Sequence, residues 1–243
     1  GKASSSSKVV VCKFFLAGKI CPFGERCKFL HKFFVGDDSF ALLTCLQGEG
    51  QGKVITGISL PSGSNRLYSG SQDQTVRVWD CETGQCVGTV NLEGQVGCLI
   101  SEGSWIFVGI PNGVKAWNTQ TSTDVSLDAG PNAGQVYTLA VANADDNEML
   151  LFAGVQDGRI LAWKRFEPAA ALAGHRSAVV SLVIGAGRLY SGSMDTTIRV
   201  WDLATLQCIE SLAAHTDVVM SLLCWDQFLF SASLDGTIKV WAA

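Results

Sequence analysis

The chain has 243 residues, 47% hydrophobic and 16% charged, with 26 glycines, a composition that excludes a disordered or fibrous polypeptide and admits one large β-rich domain with a small appendage. No run of 18 apolar residues is present, so no helical membrane span is expected, and GKASSSSK at the front lacks the apolar stretch of a secretion signal. Charge is unevenly placed: residues 1–34 carry seven Lys/Arg against one acid, Glu25, a net +6, whereas residues 35–243 carry eleven against twenty-one, a net −10. This distribution suits a polyanionic partner for the first segment and not for the second.

Residues 1–10 read as a flexible, Ser-rich lead. In residues 11–34, Cys12, Cys21, Cys27 and His31 are separated by eight, five and three residues. Three thiolates and an imidazole make a soft, closed, four-coordinate donor set, the kind a structural Zn²⁺ takes. A segment this short cannot bury enough apolar surface to fold alone, so one bound Zn²⁺ would supply its folding free energy. The other six cysteines (Cys45, Cys81, Cys86, Cys98, Cys208, Cys224) have no framework spacing and suit a reducing compartment. The expected location is therefore intracellular, nucleus or cytoplasm with the nucleus slightly favoured, and not secreted.

The stretch CKFFLAGKICPFGERCKFLH resembles the Cys-Cys-Cys-His zinc-finger family, in its ligands and in Phe15, Gly18, Phe23, Gly24 and Phe29. Many members of that family bind single-stranded RNA. The resemblance implies that Phe23 and Phe29 stack on bases, the alternative being that they pack around the metal. It places Lys13, Lys19, Arg26 and Lys28 against phosphates, the alternative being a solvated surface. DNA stays open as a ligand, since nothing in the segment reports on a 2′-hydroxyl.

Residues 35–38 form a short polar linker, and residues 39–243 repeat. RLYSGSQDQTVRVWD (66–80), RLYSGSMDTTIRVWD (188–202) and FLFSASLDGTIKVWA (228–242) are close copies. WIFVGIPNGVKAWN (105–118) and LLFAGVQDGRILAW (150–163) are weaker ones. Their anchors, Trp79, Trp117, Trp163, Trp201 and Trp241, lie 38, 46, 38 and 40 residues apart. The repeats thus end at about 80, 118, 163, 202 and 241. Each unit has three β-branched or apolar runs with Gly, Asp or Asn at the turns, which reads as strands. The period and the Trp-Asp ending resemble the WD-repeat family, whose unit is a four-stranded propeller blade. The expected fold is all-β: a WD-repeat β-propeller of five repeats, favoured as a fragment of a seven-bladed ring over a closed five-bladed one, preceded by the small finger. In such rings the N-terminal strand, here SFALLTCLQ (39–47), completes the last blade.

His175, Ser191, Asp195 and Trp201 include the residue types of a hydrolase triad. The set recurs in phase as His215, Ser231, Asp235 and Trp241, and as Ser69, Asp73 and Trp79 without the His. A nucleophile would not recur at blade period, so these residues are expected to form a structural hydrogen-bond network, and the second and third blades, which lack most of it, to be looser. GEGQGK (48–53) lacks the spacing and the Ser/Thr of a phosphate-binding loop. A finger directly ahead of WD repeats resembles the plant zinc-finger and WD-repeat proteins. That resemblance implies a non-enzymatic nucleic-acid-binding adaptor, with the finger on RNA or DNA and the propeller holding protein partners, and with no membrane or small-molecule substrate. The alternative is a protein-interaction scaffold whose finger is a further docking element.

Overall fold

Every Trp-anchored unit folds as one antiparallel sheet. The computed structural model describes residues 12, 22, 45–46, 53–144 and 148–242. The first sheet is β1 (Ile55–Ser59), β2 (Arg66–Ser71), β3 (Thr75–Asp80) and β4 (Cys86–Asn91). The second is β5 (Cys98–Glu102), β6 (Trp105–Ile110), β7 (Gly113–Asn118) and β8 (Asp124–Asp128). The third is β9 (Val136–Ala144), β10 (Glu148–Val155), β11 (Ile160–Lys164) and β12 (Glu167–Leu172). The fourth is β13 (Val179–Gly185), β14 (Arg188–Ser193), β15 (Ile198–Asp202) and β16 (Cys208–Leu212). The fifth has three strands among the described residues, β17 (Val219–Trp225), β18 (Phe228–Ser233) and β19 (Ile238–Ala242). Strands follow chain order within every sheet, as expected when short turns join sequential antiparallel strands.

Register explains the repeat. The anchoring Trp pairs with an apolar residue of the second strand: Leu67 with Trp79, Ile106 with Trp117, Leu151 with Trp163, Leu189 with Trp201 and Leu229 with Trp241. One residue further along the second strand stands an aromatic in all five sheets: Tyr68, Phe107, Phe152, Tyr190 and Phe230. Because side chains alternate across a strand, this aromatic points to the face opposite the Trp-paired residue.

The sheets pack in chain order through their first strands, β1 on β5, β5 on β9, β9 on β13 and β13 on β17. Each interface sets the aromatic and third-strand residues of one sheet against first- and second-strand residues of the next. Between the fourth and fifth sheets these are Tyr190, Ile198 and Val200 against Val219, Leu222 and Leu229. Gly70, Gly109, Gly154 and Gly192 each face the leading valine of the next sheet (Val96, Val136, Val179, Val219), whose Cγ1 lies within 2.5–2.8 Å of where a Cβ would stand. Glycine is required there by the close approach of neighbouring sheets.

Two expectations are revised or left open by this architecture. The second and third blades are not looser: the largest apolar cluster lies between them, built on Phe107, Val114, Ala116, Val136, Leu139, Leu151, Ala153 and Val155. Val108 and Ala153 occupy the places of Ser69 and Ser191, so burial of hydrocarbon replaces the polar network. The lead, the linker and the closing strand 39–47 lie outside the described residues, apart from Cys45 and Leu46. Leu46 sits beside Gly84 at the β3–β4 turn, its Cδ2 3.3 Å from the position of a Cβ there.

Candidate metal centre and the repeated polar network

Of the four expected zinc ligands, Cys12 lies within the described residues and is buried. Cys21, Cys27 and His31 lie outside them, as do Phe23, Phe29, Lys13, Lys19, Arg26 and Lys28. Among the described residues no group of three His, Cys, Asp or Glu side chains converges as a metal site.

The structure places the propeller's network residues as follows. In the fourth blade, β14 carries Ser191, β15 carries Trp201, the β14–β15 turn carries Asp195, and His175 sits on the loop entering β13. Trp201 Nε1–H donates to Ser191 Oγ at 2.9 Å. Ser191 Oγ and His175 Nε2 are 2.7 Å apart, and His175 Nδ1 is 3.0 Å from Asp195 Oδ2. With the proton on Nδ1, a directed relay runs Trp to Ser to His to Asp, each hydroxyl or N–H donating to the next group. Burial lowers the His175 pKa, against the raising effect of Asp195, and so favours this neutral form.

The fifth blade repeats the geometry: Trp241 Nε1 to Ser231 Oγ at 2.9 Å, Ser231 Oγ to His215 Nε2 at 2.8 Å, and His215 Nδ1 to Asp235 Oδ2 at 2.7 Å. The first blade keeps Trp79 Nε1 to Ser69 Oγ at 2.8 Å. Ser191 and Ser231 are wholly buried, so no substrate carbonyl can reach either hydroxyl. The likeness to a triad is one of composition, and the arrangement joins strands without offering a nucleophile.

Each Asp does more than the residue types alone reveal. Asp195 Oδ1 accepts from Thr197 N–H at 3.0 Å and from Thr197 Oγ1 at 2.6 Å, and its Oδ2 accepts from Arg176 N–H at 2.8 Å. Burial pushes its pKa up, but the Thr197 and Arg176 donors and His175 together outweigh burial and hold it at about 2. Thr237 Oγ1 is the chief cause of the lowered pKa of Asp235. Ser193 ties the turn further, donating to Ser177 O and accepting from Asp195 N–H, both at 3.0 Å. Ser233 does the same with Asp217 O and Asp235 N–H. Sequence reasoning passed over these Ser and Thr residues, although the copies spell the signal Ser-x-Ser-x-Asp-x-Thr three times (69–75, 191–197, 231–237).

Five sheets packed in sequence, each held by a Trp anchor and three of them by this network, define an all-β WD-repeat propeller. The description "WD domain, G-beta repeat" matches residues 40–80, 166–202 and 206–242, and "Zinc finger C-x8-C-x5-C-x3-H type (and similar)" matches residues 7–33. Zinc finger CCCH domain-containing protein 17 of Oryza sativa subsp. japonica is 61% identical over 206 residues, 82% of this chain and 45% of the relative. Zinc finger CCCH domain-containing protein 48 of Arabidopsis thaliana is 58% identical over 207 residues, 83% of this chain and 46% of the relative. The computationally designed Ika8 protein aligns in three dimensions with a TM-score of 0.65 and 29% identity, over 78% of this chain and 58% of that one. The chain belongs to the plant family that joins a Cys-Cys-Cys-His zinc finger to WD repeats, and it spans about half the length of the relatives it matches.

Proposed function

We propose that the chain is a non-enzymatic nucleic-acid-binding adaptor whose finger takes single-stranded RNA and whose propeller scaffolds protein partners. The observation that carries the reading is the match over residues 7–33, which encloses all four ligands in the segment of net +6 charge. Cys12, Cys21, Cys27 and His31 would hold one structural Zn²⁺, and the burial of Cys12 suits a ligand shielded from water. Three thiolates and an imidazole fill a tetrahedron and leave no place for an activated water, so the metal would supply folding free energy and no chemistry. Phe23 and Phe29 would stack on bases while Lys13, Lys19, Arg26 and Lys28 meet phosphates. The net −10 body repels the same phosphates, which supports proteins as the propeller's partners. DNA is the competing ligand of the finger. A reducing interior, nuclear or cytoplasmic, suits the zinc thiolates. Among the described residues no helix is long and apolar enough to cross a membrane.

The test is a fluorescence-anisotropy titration of the whole chain with single-stranded RNA and with DNA of the same sequence, at low and high salt, before and after zinc chelation. Salt-sensitive, zinc-dependent binding that is stronger for RNA supports the reading. Equal binding moves it to single-stranded nucleic acid generally. No binding at low salt by the zinc-loaded chain leaves the protein scaffold, with the finger as a docking element.

A further inference from the structure

A polar cleft lies between the first and second sheets, where the β1–β2 loop meets the turns that follow β5 and β7. Its volume is about 400 Å³, within the range of small-ligand sites. Ser62, Asn65, Arg66 and Tyr68 line it from the first sheet, and Ser104 and Gln120 from the second. Both walls are fixed by backbone hydrogen bonds. Ser64 N–H donates to Pro61 O at 3.1 Å across a turn with Gly63 at φ +73°, and Ser64 Oγ accepts from Arg66 N–H at 3.0 Å. Opposite, Thr119 N–H and Thr119 Oγ1 both donate to Ser104 O, at 2.8 and 3.0 Å.

The side chains facing the cleft have bonding capacity to spare. Among the described residues, the amides of Asn65 and Gln120 and the hydroxyls of Ser62 and Tyr68 make no hydrogen bond to the protein. Arg66 is the one charged side chain of the lining, and its Nη1 already lies 2.7 Å from Asp80 Oδ2. The cleft is therefore neutral, rich in donors and acceptors, and set in a body of net −10 charge. Such a lining suits an uncharged group with several hydrogen-bonding edges better than it suits a phosphate.

The segment that carries the finger enters the propeller at the same corner. Leu46 stands beside Gly84 in the β3–β4 turn. That turn is joined to the cleft wall: Gly84 N–H donates to Asp80 O at 2.8 Å, Cys81 N–H donates to Asn65 O at 2.9 Å, and Asp80 holds Arg66. His31, the last of the expected zinc ligands, is 15 positions before Leu46. Fully extended, that length of chain reaches about 50 Å, so the finger is tethered near the cleft.

We infer that the cleft is a subsite for one unstacked base of the single-stranded RNA that the finger holds. The inference rests on the reading of the finger as RNA-binding. Single strands are read through splayed bases, whose edges carry the donors and acceptors that side-chain amides match. A base is uncharged, so the acidic body does not repel it. The tether makes this second contact intramolecular, so that even a weak base site adds to the affinity of the finger.

The test is an anisotropy titration of the zinc-loaded 243-residue chain with a tetranucleotide, which the finger alone can hold, and with an RNA long enough to reach the cleft. Asn65→Ala combined with Gln120→Ala should weaken binding of the long RNA about tenfold and leave the tetranucleotide unchanged. The salt dependence should stay the same, because amides displace no counterion. Ser62→Trp, which fills the cleft, should produce the same selective loss. Ser62, Asn65 and Gln120 are exposed, so the melting temperature should hold in both variants. Photocrosslinking with 4-thiouridine placed along the long RNA should label the tryptic peptide 54–66 as well as the finger. If both variants bind the long RNA as the parent does, or crosslinks are confined to residues 7–33, the cleft is no subsite and the reading of the finger stands. A parent chain that binds neither RNA overturns the reading of the finger, and this inference with it.

Discussion

Arg77 Nη1 lies 2.9 Å from Asp73 Oδ2, on the carboxylate oxygen that corresponds to the one His175 reaches in Asp195. The first blade lacks the histidine and supplies a guanidinium from its own third strand. Asp73 is further held by Thr75 through its N–H at 3.0 Å and its Oγ1 at 2.5 Å. Burial raises the Asp73 pKa, but Thr75 and Arg77 together carry it below the usual carboxylate range.

Arg77→Leu should destabilise the chain by about 2–4 kcal/mol, because it leaves a mostly buried carboxylate without its cation. Arg199 occupies the same repeat position in the fourth blade, where His175 already serves Asp195, and its buried Nε has no hydrogen-bond partner. Arg199→Leu should cost under about 1 kcal/mol. Urea denaturation of the two variants checks the contrast, and equal losses would show that the guanidinium does not replace the imidazole.

Thr196 has φ +72° in the turn between β14 and β15, a left-handed conformation that a β-branched residue adopts only under strain. Gly158 and Gly236 hold the same turn position in the third and fifth blades, with φ +92° and +80°. Thr196→Gly should stabilise the chain by about 0.5–1 kcal/mol, the relief of strain being partly offset by the added freedom of the unfolded chain. Gly236→Ala should cost about 1 kcal/mol. A Cβ at Gly236 meets no atom within 4 Å, so that loss would be conformational alone. Calorimetric melting of both variants measures the pair of opposite shifts.

Acid should unfold the propeller in two stages. His175 has a lowered pKa in the folded chain, so the unfolded chain binds its proton first as pH falls below about 6.5. That contribution to stability is complete above about 6.5 and declines as pH drops toward the folded value. Asp195, at about 2 when folded, contributes fully above the unfolded carboxylate range near 4 and loses its contribution as pH falls from there toward about 2. Melting temperature followed from pH 7 to pH 3 should therefore begin to fall in the His window and steepen in the Asp window. Asp195→Asn should flatten the lower stage, and an unchanged acid limb in that variant would remove Asp195 as its cause.

Within a blade, sequence was a sufficient guide, because the contacts are local. The Trp spacing marked all five sheets, and within the fourth of them Ser191, Asp195 and His175 lie within hydrogen-bonding distance in series. Between blades it was a poor guide. The family description passes over residues 81–165, yet the second and third sheets hold the largest apolar cluster. Val108 and Ala153 bring no polar signature, and their value lies in contacts with residues far along the chain. Arg77 and Arg199 are the same residue in the same motif, and only a histidine on the loop entering the sheet's first strand, present in the fourth blade, separates their roles. Exposure was equally hidden, since Val200 is 3% exposed and Val240, the same residue at the matching position, is 58% exposed. For the finger the reverse holds: its ligands and aromatics are legible as a spacing, and that spacing is what the family match reads.

The finger yields the prediction that separates stacking from charge. If Phe23 stacks on a base, Phe23→Ala should weaken binding to single-stranded RNA by about 1–3 kcal/mol. The salt dependence should not change, because an aromatic face displaces no counterion. Arg26→Ala should lower the slope of log affinity against log salt by about one unit, since it removes a phosphate contact. Cys27→Ser should abolish binding by unfolding the finger while leaving the propeller's melting transition in place, as expected of separate cores. Anisotropy titrations at four salt concentrations, with melting followed on the same samples, supply all three readings. A Phe23→Ala chain that binds as tightly as the parent at every salt would assign that ring to packing around the metal, and the finger would then hold RNA through its lysines and Arg26 alone.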